Sequence, residues 1–391
     1  MNVQDFLGQA KENGAVAAVV SNNRDNINLP QIEVEGPEIL VGMLAAKWRT
    51  NFSLPVIGIT GSNGKTTTKD LLMHIFSASH TVHGTRGNYN TYLGLPLTLL
   101  ELTSHHTFSI LEMGANRTGD IEYLSNLSLP LYGLITNIAR AHLQSFGSIE
   151  EIARTKGELF ASLPEEGTAF INMDDNYIPG LDTPAKKVTY GFNPDCDFAA
   201  DLHRDNDGLL TIIINGEEIT LNSCDESFAK NSLAAATVSI TQGISWELFQ
   251  ESILTIQPTK GRCEVTTRDG ITVIDDSYNA NLASAIAAVD LLLSLPVKGR
   301  RAIVFGDMLE LGEISSSDHE EFGNKCARVG CDLLLCYGQE SEVTADAARG
   351  KIDARSYSDK SELASVLKAF LNTGDAVLFK GSRRRVKERR V

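Results

Sequence analysis

The chain is short of cysteine, of long apolar runs and of net positive charge, and each shortage closes off a class of protein. Six cysteines occur in 391 residues, none of them in a CxxC pair. Cys326, Cys331 and Cys336 are evenly spaced five apart, a poor match to the ligand spacing of a structural zinc site. Unpaired core cysteines in a reducing compartment fit better. No apolar run approaches the ~20 residues a membrane-spanning helix needs. The N-terminus is polar and acidic, unlike a secretory leader, so a cytoplasmic location is expected. The 35 basic and 50 acidic side chains leave a formal net charge of −15, which disfavours a general role on nucleic acid or on a membrane surface. What remains is ordinary for a soluble protein: 42% hydrophobic and 22% charged residues, with length for two or three domains.

What is present is concentrated in one stretch, Gly58-Ile59-Thr60-Gly61-Ser62-Asn63-Gly64-Lys65-Thr66. It follows an apolar run, Leu54 to Ile59, that reads as a buried strand. It precedes Thr67 to Ser77, whose Leu71, Leu72, Ile75 and Phe76 share one helical face. A glycine-rich turn between strand and helix aims backbone N–H groups at one point, and the helix N-terminus adds partial positive charge there. Lys65 can reach outer phosphates and the Thr66 hydroxyl can ligate Mg²⁺. The stretch reads as a nucleoside-triphosphate cradle running from Gly61 through Ser62, Asn63, Gly64 and Lys65 to Thr66 and Thr67. It departs from the usual spacing in one place: Ile59 stands where a first glycine is normally found, five residues before Gly64.

Around it, strand-like runs alternate with helical patterns, as in an open α/β sheet. The first series is Phe108 to Met113, Tyr132 to Ile138 and Thr168 to Asn172, followed by a hairpin over Leu209 to Leu221 that turns at Asn215-Gly216. The second is Ile271 to Ile274, Ala302 to Phe305, Leu333 to Tyr337 and Ala376 to Phe379. Helices are expected over Ala283 to Leu293, Ser317 to Val329 and Ser361 to Leu371. A cluster of turn formers, Pro258-Thr259-Lys260-Gly261, marks the boundary between the series. Ahead of them, Phe6 to Val20 provides one helix and one strand, too little for a core of its own.

Several polar residues fall at expected strand ends, where ligands of doubly wound folds bind. Glu112 could hold a phosphate-bridging Mg²⁺ or be an exposed loop glutamate. His142 follows another strand in Thr136-Asn137-Ile138-Ala139-Arg140-Ala141-His142, and a lone histidine is more often a cap or surface group than a ligand. Lys156, taken alone, reads as a solvated helix residue. Asp275-Asp276-Ser277-Tyr278-Asn279-Ala280-Asn281 ends a strand. Adjacent strand residues face opposite ways, so one aspartate could contact ribose or phosphate-bound water, or the segment could be a capped turn. Arg262, near the boundary, could stabilise phosphate charge as domains close or lie on the surface. The basic run from Lys380 to Arg390 could be a solubilising tail, or its first residues could sit at a sheet edge.

Taken together these motifs resemble the Mur ligase family, over essentially the whole chain and in family order. The matching pieces are Gly58 to Thr66, Gly87 to Asn90 with Gly94 to Thr98, Glu112 to Asn116, Thr136 to His142, Phe146 to Ser148, Lys156 to Phe160, Asp275 to Asn281, Gly306 to Gly312 and Lys380 to Arg383. The resemblance implies a central doubly wound ATPase domain of the P-loop type over 37–259 and a C-terminal Rossmann-like α/β ligase domain over 260–391. Residues 1–36 would be the later part of an N-terminal α/β domain that binds a UDP-sugar. It implies an ATP-dependent amide ligase, acting as a monomer. The motifs 275–281 and 306–312 point to the member that adds D-alanyl-D-alanine to a UDP-N-acetylmuramoyl-tripeptide through an acyl phosphate, in peptidoglycan precursor synthesis. A Mur-like ligase of another acid, or a degenerate nucleotide-binding paralogue, are the alternatives. It further implies two Mg²⁺, held by Thr66, Glu112, His142 and Lys156, the lysine carrying CO₂ as a carbamate. Lys65 would neutralise developing charge. Asn231 falls at an adenine contact, Asp276 at a ribose contact and Arg262 near the phosphates. Ser227-Phe228 stand where the family often has His-Asn, and Leu282 where it usually has proline.

Overall fold

The computed structural model describes residues 6–141, 143–257 and 259–382. Its largest element is a nine-stranded sheet in the order Glu217–Thr220, Leu210–Ile214, Phe198–Arg204, Lys186–Gly191, Thr168–Asn172, Tyr132–Ile135, Val56–Thr60, Phe108–Glu112, Val82–Gly84. Seven strands, from Phe198–Arg204 to the Val82–Gly84 edge, pair in parallel, and the other two add antiparallel. All five residues of Val56–Thr60 and of Phe108–Glu112 are buried, as expected for strands covered on both faces. Ile57, Ile59, Ile110, Leu134 and Phe170 face one core with Leu71, Leu72, Ile75 and Phe76. Val56, Leu111, Ile135 and Ile171 face the other, with Leu159 and Phe160 of the helix Ile149–Ala161.

A second sheet has six strands in the order Glu264–Arg268, Ile271–Asp276, Ala376–Lys380, Arg301–Gly306, Leu333–Tyr337, Asp353–Tyr357. Only its first strand is antiparallel. The helices Leu282–Ser294, Ser315–Val329 and Ser341–Ala348 cover one face, and Lys360–Phe370 covers the other. Both large sheets are therefore mixed and parallel-rich, with helices on both faces.

The two strand series and the Asn215-Gly216 hairpin appear where the alternation placed them, Thr168–Asn172 and Leu333–Tyr337 with the expected ends and the others shifted by at most three residues. The helix after the glycine-rich turn begins at Lys65, two residues earlier than expected, because Gly64 at φ 79° is its N-cap. Five strands of the two large sheets were not anticipated: Val82–Gly84, Lys186–Gly191, Phe198–Arg204, Glu264–Arg268 and Asp353–Tyr357. The last two are edge strands whose residues, Ala354 apart, are exposed or half-buried, so they lack the apolar run that marks a buried strand. Near the N-terminus the helix Leu7–Glu12 and the strand Ala18–Val20 are joined by an unforeseen strand, Gln31–Glu33, which pairs in parallel with Ala18–Val20. Pro258 and Arg383 lie outside the described residues.

Candidate active site

Val56–Thr60 sits between Tyr132–Ile135 and Phe108–Glu112, where the strand order reverses. The glycine-rich turn therefore leaves the sheet at the point where open α/β folds form a ligand crevice. Two glycines are sterically required. Gly61, at φ 146°, is so close to Thr136 Oγ1 that a Cβ would overlap it, and a Cβ on Gly64 would overlap Asn231 Oδ1. The motif after the neighbouring strand holds the turn in shape. Ser62 N donates to Asn137 O at 2.9 Å, and Asn63 N donates to Asn137 Oδ1 at 3.0 Å. Thr136 Oγ1 donates to Asn63 O at 2.6 Å, and Ser62 Oγ donates to Ala139 O at 3.0 Å. Lys65 Nζ folds back on Gly61 O at 2.6 Å and Ser62 O at 3.2 Å. Burial lowers its pKa below the usual lysine value; Glu112 opposes that shift and Arg262 adds to it.

Thr66 is the meeting point. Its hydroxyl donates to Glu112 Oε2 at 2.8 Å and accepts from Arg262 Nη2 at 2.9 Å. Glu112 is buried, and its other oxygen accepts from Asn90 Nδ2 at 2.6 Å. Lys156 is not a solvated surface group: only 5% of it is exposed. It stands on a helix whose N-terminus is fixed by Ser148 accepting from Glu151 N. Burial, and then the charge of Lys65, hold its pKa well below the ordinary lysine value.

The second sheet faces this edge across a cavity of about 2430 Å³, which Gly61 to Thr67, Glu112, Lys156, Asn231, Arg262, Asp276 and Lys380 all line. Arg262 lies over the Tyr278 ring, 4.1 Å from its centroid, and its Nε is buried without a hydrogen-bond partner among the described residues. Asp276 is paired with Lys380 Nζ at 2.6 Å, and that ammonium also donates to Asn279 O at 2.7 Å. Asn281, the N-cap of Leu282–Ser294, donates to Asn63 Oδ1 at 2.8 Å, so the second sheet touches the glycine-rich turn directly.

The Mur ligase middle domain matches residues 59–239, and the Mur ligase, glutamate ligase domain matches residues 261–383. A UDP-N-acetylmuramoyl-tripeptide–D-alanyl-D-alanine ligase of Synechocystis is 36% identical over 387 residues, covering 96% of this chain and 83% of the relative. The chain belongs to the Mur ligase family. A crystal structure of MurF from Acinetobacter baumannii superposes with a TM-score of 0.88 at 29% identity, covering 98% of this chain and 85% of that one. MurF ligase of Thermotoga maritima, solved in complex with ADP, superposes with a TM-score of 0.84 at 29% identity, covering 97% and 88%.

In this Mur ligase the fold brings together Lys65, Thr66, Glu112, Lys156 and Arg262 around one cavity. His142 lies outside the described residues. Asn231 sits at the rear of the glycine-rich turn, where its Oδ1 accepts from Thr68 Oγ1 at 3.3 Å. Three contributors were not singled out from the sequence. Asn90 orients Glu112, Tyr278 supports Arg262, and Asn281 reaches Asn63. Their partners are 22, 16 and 218 positions away, so no local pattern could reveal them, although each belongs to a motif that carried the family resemblance.

Proposed function

We propose that this Mur ligase joins the amino group of D-alanyl-D-alanine to the free carboxylate of a UDP-N-acetylmuramoyl-tripeptide at the expense of ATP. The observation that carries the reading is Thr66, flanked by Glu112 of one sheet and Arg262 of the other. That arrangement suits a triphosphate held on one domain and closed upon by the next. ATP would lie with its phosphates against the N–H groups of Gly61 to Thr66. Lys65 would leave the carbonyls of Gly61 and Ser62 for the outer phosphate oxygens, and the buried, unpartnered Nε of Arg262 would gain an anionic acceptor. Asp276 and Asn231 are the candidate contacts to the nucleoside.

A carboxylate oxygen of the tripeptide attacks the γ-phosphorus while the bond to ADP breaks, leaving an acyl phosphate. The amine nitrogen then attacks the acyl carbon, loses a proton, and phosphate departs with the electrons of the C–O bond. Closure of the second sheet over the cavity excludes water that would hydrolyse the acyl phosphate. The hydroxyl of Thr66 and the carboxylate of Glu112 are hard oxygen donors that would hold Mg²⁺; His142 is a candidate ligand on the family resemblance alone. Bound Mg²⁺ supplies charge neutralisation on the phosphate oxygens. Lys156 fits beside such a cation only as an anion. Its lowered pKa favours the neutral amine, which can form an N–C bond to CO₂ and shed a proton to give a carbamate.

The test is phosphate release by the purified chain with ATP, Mg²⁺, UDP-N-acetylmuramoyl-tripeptide and D-alanyl-D-alanine, with the product mass determined. Release that requires both substrates supports the reading. A bound nucleotide without ligation, or a product formed from another acid, overturns it.

A further inference from the structure

We propose that Arg140 and Asp318 form an interdomain latch that tightens as the second sheet closes over the nucleotide, making both of them positioning residues for the ligation proposed above. Asp318, in the first turns of the helix Ser315–Val329, is fully buried, yet neither carboxylate oxygen has a hydrogen-bond partner among the described residues. Buried carboxylates are ordinarily satisfied. Its neighbour His319 does not compensate: the ring accepts from Met308 N at 3.1 Å through Nε2 and meets Ser315 O at 2.7 Å through Nδ1, the pattern of a neutral imidazole. The cation facing Asp318 comes from the other sheet. Arg140 Nη1 stands 3.5 Å from Asp318 Oδ1, with the arginine side chain 56% exposed and the aspartate 1%.

A charge-assisted hydrogen bond between these groups would close to about 2.7–2.9 Å, so a shift of under an ångström completes it. Each end connects to site machinery. Arg140 follows Ala139, whose N–H and C=O clasp the Ser62 hydroxyl of the glycine-rich turn at 2.8 and 3.0 Å. On the other side, His319 anchors Met308, next to Gly306 and Asp307 in the cavity wall. The surfaces already touch beside the pair, where Gln144 N donates to Glu310 O at 3.2 Å. Tightening the latch therefore presses the 306–312 segment toward the turn that holds the phosphates.

Arg140→Met removes the charge at an exposed position and should leave folding intact. Asp318→Asn and the double variant complete a cycle. The latch predicts that Arg140→Met lowers kcat about tenfold, about 1.4 kcal/mol, with KM for ATP little changed at a temperature where the variant is fully folded. Arg140→Lys recovers part of the loss, and Asp318→Asn costs nothing further once Arg140 is gone. Unchanged kcat in Arg140→Met, or losses that multiply in the double variant, overturn the latch. Small-angle scattering with ADP and Mg²⁺ gives a readout independent of turnover: Arg140→Met must be more extended than the wild type. Equal radii of gyration sink the latch even if the wild type proves not to ligate, an outcome that would by itself refute only the proposed reaction.

Discussion

Replacing Lys380 by methionine would expose the energetics of the ion pair that joins two neighbouring strands of the second sheet. Asp276 and Lys380 are register partners at the ends of Ile271–Asp276 and Ala376–Lys380. Their charged atoms are 2.6 Å apart, with side chains 12% and 2% exposed. Burial raises the Asp276 pKa above the ordinary aspartate value, with Lys380 opposing it through charge and a hydrogen bond. The cost of dehydrating the carboxylate thus outweighs the attraction of the lysine. Methionine leaves Asp276 with the Cys263 N–H at 3.3 Å and the nearby Arg262 charge. An uncompensated buried charge costs about 3–5 kcal/mol, and the remaining donors put the loss near the lower end. For a unit of about 120 residues, at about 4 °C per kcal/mol, that is a fall of about 12 °C in its melting temperature. The sign of the pH dependence follows from the raised pKa. The folded variant binds the Asp276 proton more tightly than the unfolded chain, so stability returns as pH falls through the folded pKa toward about 3.9 and is lost above it. Scanning calorimetry that resolves the transition of the second sheet, between about pH 8 and about pH 5, tests this. A deficit that grows on acidification, or one below about 1 kcal/mol at neutral pH, would refute the reasoning. Replacing both residues, Lys380→Met with Asp276→Leu, should recover most of the loss.

Other expectations concern turnover. Lys156→Ala should lower ligation at least a hundredfold, and ¹³C-labelled bicarbonate should give a carbamate resonance in the wild type only; full activity in the variant would remove the carbamate from the mechanism. Glu112→Gln weakens the proposed cation site and should raise the Mg²⁺ requirement about tenfold or more, read from phosphate release against Mg²⁺ concentration. Tyr278→Ala removes the ring beneath Arg262, a contact of about 0.5–2 kcal/mol, and should raise KM for ATP about two- to thirtyfold while Tyr278→Phe stays near wild type. Gly64→Ala places a Cβ against Asn231 and forces an unfavourable φ; nucleotide binding measured by calorimetry should be lost while the fold, followed by circular dichroism, survives.

Local chemistry made part of the site legible. Gly61, Gly64, Lys65 and Thr66 are consecutive enough for one turn to use them all, and the apolar run before them and the helical face after them are short-range patterns. The same locality located most strands of both sheets. Edge strands such as Asp353–Tyr357 escaped because half-exposed residues carry no continuous apolar signal. Lys156 illustrates the opposite failure. A lysine within Arg154-Thr155-Lys156-Gly157-Glu158 looks solvated, and only the packing of its helix against the sheet makes it a buried amine with a depressed pKa.

The sequence by itself determined the phosphate-binding turn, the alternation that dictates parallel sheets, and the family to which the motifs belong, because each is written in neighbouring residues. Tertiary structure decided which side chains share one cavity. Glu112 meets Thr66 across 46 positions and Arg262 meets it across 196, encounters set by strand order and by the approach of the second sheet. It also decided which charges are buried. Asp276, Lys380 and Asp318 differ from surface aspartates and lysines only in the neighbours that exclude water from them, and that exclusion is a property of the packed chain.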